Sequence, residues 1–147
     1  MNWIFIALLT AAAFGAYNVF IKMGSAKIDH VLGAVVLQVV AAIIGGSYAL
    51  ILKLGGKELP VSREGLGYAA LAGVAVGVAE ILTFVVYTRG APASLATPII
   101  MGGSIVITAA VGATLLKEKF GAAQVIGIVL VAAGIALISR VKDPIAE

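Results

Sequence analysis

The feature that most constrains this chain is a series of five long apolar runs, separated by short connections that hold nearly all of its charge. The runs lie near 3–22, 31–52, 65–87, 91–116 and 122–139. A spanning helix needs roughly 20 mostly apolar residues, and each run meets or approaches that length. Backbone polar groups in hydrocarbon must be satisfied within the segment, so such runs become helices. Strand-period alternation is absent, which argues against a membrane β-barrel. The expected fold is all-α, an integral membrane bundle of five transmembrane helices. Residues 1–147 form one transmembrane domain without a soluble part.

Composition removes most other classes. Hydrophobic residues make up 62% of the chain and charged residues 12%, against about a quarter charged in a soluble domain. The 18 glycines sit inside apolar stretches, a pattern that fits close helix packing in lipid. There is no cysteine and one histidine, His30, so disulfides, thiolate metal sites and multi-histidine sites are excluded, and no cofactor is expected. The net charge of +3 is small and no basic tract occurs, so the surface is expected to meet the lipid bilayer and not nucleic acid. No nucleophile elbow, phosphate-cradling loop or carboxylate pair within one span appears, and the chain is not expected to be an enzyme. The first run has no Lys or Arg before it and exceeds a usual signal core, so it is expected to be retained as a helix.

Loop charge leaves orientation open. With five helices, Lys53, Lys57, Arg63, Lys117 and Lys119 share one side, and Lys22, Lys27, Arg89, Arg140 and Lys142 the other. Basic residues in short loops favour the cytoplasmic side, and here they balance. Either one insertion mode wins through the placement of the charges, or the chain inserts both ways and pairs antiparallel with itself.

Glu80 stands alone as an acid inside an apolar span, between Ala79 and Ile81. A carboxyl group at such depth costs about 2.5–3.5 kcal/mol to insert and ordinarily faces a bundle interior or wet cavity on an ion or substrate path. Glu80 is therefore expected to bind a proton, a cationic substrate, or each in turn; the bland alternatives are a position nearer the interface and a structural tie to Lys22 or Arg89. Helical spacing puts Gly73, Gly77, Glu80, Phe84 and Tyr87 on one face. Ala69, Gly73 and Gly77, four apart, would admit a neighbouring backbone closely.

In the fourth run Thr97, Met101, Ser104 and Thr108 share a face that either lines a polar path or holds hydroxyls bonded to their own helix. Pro98, followed by Gly102 and Gly103, makes either a hinge for alternating access or a static kink. Asn18 lies deep in the first run beside Tyr17, and Gln38 lies within the second, where a structural role is expected. Trp3 is expected at the interface, Lys22 to snorkel and His30 in a solvated loop. Gly127 and Gly134, seven apart, are expected to make a helix–helix contact within the chain or across a dimer.

From Tyr87 onward, Tyr87-Thr88-Arg89-Gly90-Ala91-Pro92-Ala93-Ser94-Leu95-Ala96-Thr97-Pro98 resembles the short loop and following helix of EamA-like members of the drug/metabolite transporter superfamily. Lys117-Glu118-Lys119-Phe120 resembles their "GE" signature, with Lys117 where glycine is usual. Gln124, Gly127, Leu130 and Gly134 are similar to the last helix of the five-helix repeat, and Trp3, Gly15, Asn18 and Lys22 to its first. The resemblance covers essentially the whole chain. It implies half of a ten-helix transporter built from two inverted repeats, with two antiparallel copies restoring the full assembly. It also implies transport of a small molecule, commonly export, without naming the substrate. The expected binding residues are Glu80, Asn18, Tyr87, Thr97, Ser104 and Thr108. The alternative is an accessory subunit that pairs with a different half-transporter and moves nothing alone; a channel or a flippase component is a third possibility.

Overall fold

A computed structural model describes residues 2–140. The tail residues Lys142, Asp143 and Glu147 lie outside the described residues. Five helices follow in order, α1 (Trp3–Ser25), α2 (His30–Leu54), α3 (Arg63–Thr88), α4 (Ala93–Thr114) and α5 (Ala122–Ile138), with no strand among the described residues. The protein is an all-helical membrane bundle. Helices α1 to α4 are each long and apolar enough to cross a membrane. At 1.5 Å per residue, the 17 residues of α5 reach about 26 Å, near the lower bound for a span.

Local chemistry sets the ends, and it moves several from where hydropathy alone placed them. Asn2 caps α1 through Oδ1 on the Ile4 amide at 3.2 Å. Ser62 Oγ takes the Gly65 amide at 3.0 Å, so α3 begins at Arg63 and not near 65. Helix α4 begins at Ala93, later than the expected 91, because Pro92 is extended at φ −64°, ψ 139° and a proline biases the residue before it away from helix. After α2 and α3, Gly56 and Gly90 take positive φ (78° and 95°). The amides of Gly56 and Lys57 return to the carbonyls of Lys53 and Leu52, closing the last turn of α2.

Asp29 caps α2, with Oδ1 accepting from the amides of Val31 at 2.9 Å and Leu32 at 3.2 Å. His30, expected in a loop, is instead the first residue of α2 and pairs with Asp29 at 3.5 Å. The Leu32 and Val31 amides hold the Asp29 carboxyl below its ordinary range. A depressed carboxyl contributes stability above its unfolded pKa and loses it as pH falls through the folded value. Asp29→Asn keeps the cap but not the charge, so thermal stability followed from pH 6 to pH 3 should fall less steeply in the variant than in the parent.

Helix α4 ends at Thr114, short of the expected 116. The Leu116 amide reaches back to Val111 O, Lys117 takes φ 54°, and the Glu118 amide returns to Gly112 O at 3.0 Å. A side chain in this left-handed conformation costs about 1–2 kcal/mol, which glycine does not incur. The position is the one where the family resemblance expects glycine. Lys117→Gly should therefore raise stability by about 1 kcal/mol, read as a higher Tm in detergent, and Lys117→Ala should not.

The chain divides into two compact units, one up to Gly90 and one from Ala91. In the first, α1 packs on α3, and α2 packs on both. Its buried residues lie in the second half of α1 (Asn18, Ile21, Ser25), the start of α2 (Gly33, Ala34) and the last turns of α3 (Glu80, Thr83, Phe84, Tyr87). The core thus sits at one end of the three helices. Here Phe84 lies over Gly33, where an added Cβ would stand 2.6 Å from its Cε1. At Gly77 the nearest side chain is Gln38, at 3.7 Å from such a Cβ, and Gly73 meets nothing within 4 Å. Of the expected small-residue groove, Gly77 meets a neighbouring side chain and Gly73 does not.

In the second unit α4 packs against α5. The close approach is at Gly102, where an added Cβ would meet Ile135 Cδ1 at 2.8 Å and Val131 Cγ1 at 3.4 Å. The contact face of α5 is thus formed by Val131 and Ile135. Nothing lies within 4 Å of a Cβ built at Gly127 or Gly134.

Candidate functional site

Glu80 is placed by α3 one turn before Phe84 and two before Tyr87, and all three residues are buried. The Glu80 residue is 8% exposed. Its Oε2 accepts a hydrogen bond from the Tyr17 hydroxyl on α1. Next along α1, Asn18 is 3% exposed. Its Nδ2 donates to Phe14 O of its own helix at 2.8 Å, which leaves Oδ1 to accept from the Tyr87 hydroxyl at 3.3 Å. Two tyrosine hydroxyls therefore cross the seam in opposite directions, Tyr17 from α1 to α3 and Tyr87 from α3 to α1. Thr83, between them, bonds its own helix at Ala79 O.

Lys22 follows Asn18 by one turn, with Nζ 5.7 Å from the centroid of the Tyr87 ring. A cation this close to an aromatic face is attracted by the ring quadrupole. The lysine expected to snorkel thus packs over a buried tyrosine at the same seam. Arg89, the other candidate tie for Glu80, is exposed as the C-cap of α3.

A buried carboxylate that accepts from a phenol keeps further lone pairs for a proton or a cation, and a charge in low dielectric must be matched by one of these. Of the expected residues, the structure gathers Glu80, Asn18 and Tyr87. It adds Tyr17, which sequence reasoning noted only as the neighbour of Asn18. Tyr17 and Glu80 are 63 positions apart, so no spacing rule links them. The available signal was a phenol inside an apolar run, which needs a partner when buried.

Thr97, Ser104 and Thr108 belong to the second unit. Ser104 Oγ donates to Met101 O at 2.7 Å, as the bland reading of the stripe expects. Ser104 and Thr108 also border an open groove of about 330 Å³ between α4 and α5, together with Glu118, Phe120 and Gln124. Helix α4 is continuous through Pro98. Of the hinge glycines, Gly102 serves the α4–α5 contact and Gly103 faces open space. Among the described residues no group of three or more His, Cys, Asp or Glu is placed to hold a metal ion.

The seam thus gathers one acid, two phenols, a carboxamide and a lysine, an arrangement of the kind that marks ion or substrate paths in membrane helices. Compared with protein families, residues 1–140 match the model of the EamA-like transporter family. The chain belongs to that family. Neither a curated protein nor a solved structure matches it. EamA-like proteins are membrane transporters of the drug/metabolite type. For this member the family match covers both the α1–α3 seam around Glu80 and the α4–α5 hairpin.

Proposed function

We propose that this EamA-like chain is a secondary active exporter of a small metabolite or cationic compound, coupled to protons through Glu80. It works by alternating access as an antiparallel homodimer. The observation that carries the reading is the buried Glu80 carboxyl, held across the α1–α3 seam by Tyr17 and within the same core as Asn18 and Tyr87. An acid that binds either a proton or a cation, but not both, links the two fluxes directly: the proton released on one side makes room for the cargo. Tyr87 supplies a further hydroxyl beside Glu80, and in the second unit Thr97, Ser104 and Thr108 are the hydroxyls that this reading assigns to solute contact. Pro98, Gly102 and Gly103 let α4 bend as the site changes sides.

Two further features support the homodimer. The basic residues of the loops balance across the membrane, which favours insertion in both directions. In the first unit, the halves of α1, α2 and α3 away from the buried end expose large apolar side chains, among them Phe5, Leu9, Ile43, Ile44, Leu71 and Val74.

Two measurements test this. Purified protein in proteoliposomes with an imposed pH gradient, offered a panel of cations and amino acids, should accumulate at least one of them against its gradient; no gradient-driven flux for any of them favours the accessory-subunit reading. The cysteine-free chain with Lys57→Cys should be about half labelled by a membrane-impermeant maleimide in sealed cells. Labelling that is complete or absent rejects dual insertion.

A further inference from the structure

The connection from α2 to α3 borders an open groove of about 640 Å³, lined by Lys53, Gly56, Lys57, Glu58, Leu59 and Val61 among others. The close of α2 sets its backbone: Gly56 takes φ 78°, and the Lys57 amide returns to Leu52 O at 3.0 Å. That turn brings Lys57 to the same groove as Lys53 of the last helical turn. Among the described residues neither lysine forms an ion pair, and neither does Glu58, although all three line one space. The amides of Glu58, Leu59 and Val61 bond no described acceptor. The groove thus offers two separate cations and free amide donors, with one carboxylate beside them.

Its depth in the membrane follows from the length of α2. At 1.5 Å per residue the 25 residues reach about 38 Å, more than the roughly 30 Å of hydrocarbon, so a spanning α2 carries its Lys53 end into the headgroup layer. Beside the charges, Leu54, Leu59 and Val61 are 80%, 42% and 70% exposed. They form an apolar shoulder at the edge of the groove. The site lies at the other end of α3 from Glu80 and is independent of its role.

We infer that this groove holds the headgroup of phosphatidylethanolamine, with the phosphate at Lys53 and Lys57 and the primary ammonium at Glu58. A phosphate accepts charge-assisted hydrogen bonds from lysine and further bonds from backbone amides, and a carboxylate accepts them from a primary ammonium. Other headgroups leave one part unmatched. The anionic phosphatidylglycerol suits the lysines but meets Glu58 as a like charge. The quaternary ammonium of phosphatidylcholine has no N–H to give to Glu58. A soluble phosphoethanolamine leaves the shoulder bare, whereas the acyl chains of a lipid lie against Leu54, Leu59 and Val61.

Native mass spectrometry of the full chain in detergent, titrated with the dioctanoyl forms of these three lipids, reads the affinities. The ethanolamine lipid should bind at least fivefold more tightly than either of the others. Removing both lysines as Lys53→Ala with Lys57→Ala should weaken it about tenfold, since each lysine near a lipid phosphate is worth about a factor of five. Lys57→Gln alone, expected to weaken it about fivefold on the same basis, carries the test if the double variant folds poorly. Glu58→Gln should weaken the ethanolamine lipid and leave the glycerol lipid bound as tightly as before, or more so. Equal binding of the three lipids overturns the inference, as does tighter binding of the glycerol lipid, which would mean a basic patch without a place for the amine. Affinity unchanged by both the lysine and the Glu58 substitutions overturns it too. Free O-phosphoethanolamine in large excess should not displace the lipid; displacement would assign the groove to a soluble ligand and defeat the lipid reading.

Discussion

Glu80→Gln should abolish transport driven by a pH gradient. Glutamine has nearly the shape of glutamate and can still accept from the Tyr17 hydroxyl, so the seam should stay assembled and the variant should keep its Tm. What it lacks is the charge. Removing one partner of a buried charge pair costs about 2–5 kcal/mol, which corresponds to a fall in cation affinity of roughly thirty- to several thousand-fold. A second consequence concerns pH. Under the proposed coupling, cation binding should weaken as the medium is acidified, and in Glu80→Gln the residual binding should be flat. Proteoliposome flux measured across pH 6 to pH 8, with and without the gradient, reads both effects. Full, pH-dependent flux by the variant would show that the carboxylate is not the coupling group.

Gly33→Val should be the most destabilising single substitution in the first unit among its glycines. Phe84 is 5% exposed and its ring edge lies 2.6–3.1 Å from where a Cβ would stand on Gly33. The ring must shift to admit the new side chain, although it also borders an open groove between α1 and α2. Overpacking of this kind costs about 1–3 kcal/mol, and the small helix-propensity gain of valine over glycine offsets little of it. Gly73→Ala is the matched control. Nothing lies within 4 Å of that position, so replacing glycine within a helix should gain up to about 1 kcal/mol. Thermal unfolding of both variants in one detergent should move Tm in opposite directions. The same shift in both would mean that the Phe84–Gly33 contact does not hold the core.

Bundle and seam differ in how far they could be read without coordinates. The five helices follow from hydropathy and length, because hydrocarbon leaves a long apolar run few other conformations. Their ends were less legible. The caps at Asp29 and Ser62 depend on single side chains, and the close of α4 depends on Lys117 adopting positive φ. Glu80 stood out as a site because one acid in an apolar span is conspicuous on its own. Its partner did not. Tyr17 looks like any aromatic residue of an apolar helix until α1 is laid against α3, since a contact between residues 63 apart leaves no periodic trace.

The glycines make the same distinction. Gly33, Gly73, Gly77, Gly127 and Gly134 are equivalent in sequence as small residues in apolar helices. Gly33 meets an aromatic ring and Gly77 faces a glutamine side chain, whereas Gly73, Gly127 and Gly134 meet nothing. The pattern marks where helices are able to approach; only the crossing of particular helices decides where they do.

By itself, then, the amino-acid order determined that the chain enters a membrane as helices, that it belongs with small-molecule transporters, and that one carboxyl is buried at a high free-energy cost. These are properties of single segments, set by the transfer of side chains and backbone from water to hydrocarbon. Tertiary packing alone decided which side chains surround that carboxyl and that Tyr17 bonds it. Those are properties of pairs of segments, and they depend on how the side chains of α1, α2 and α3 fit together at one end of their bundle.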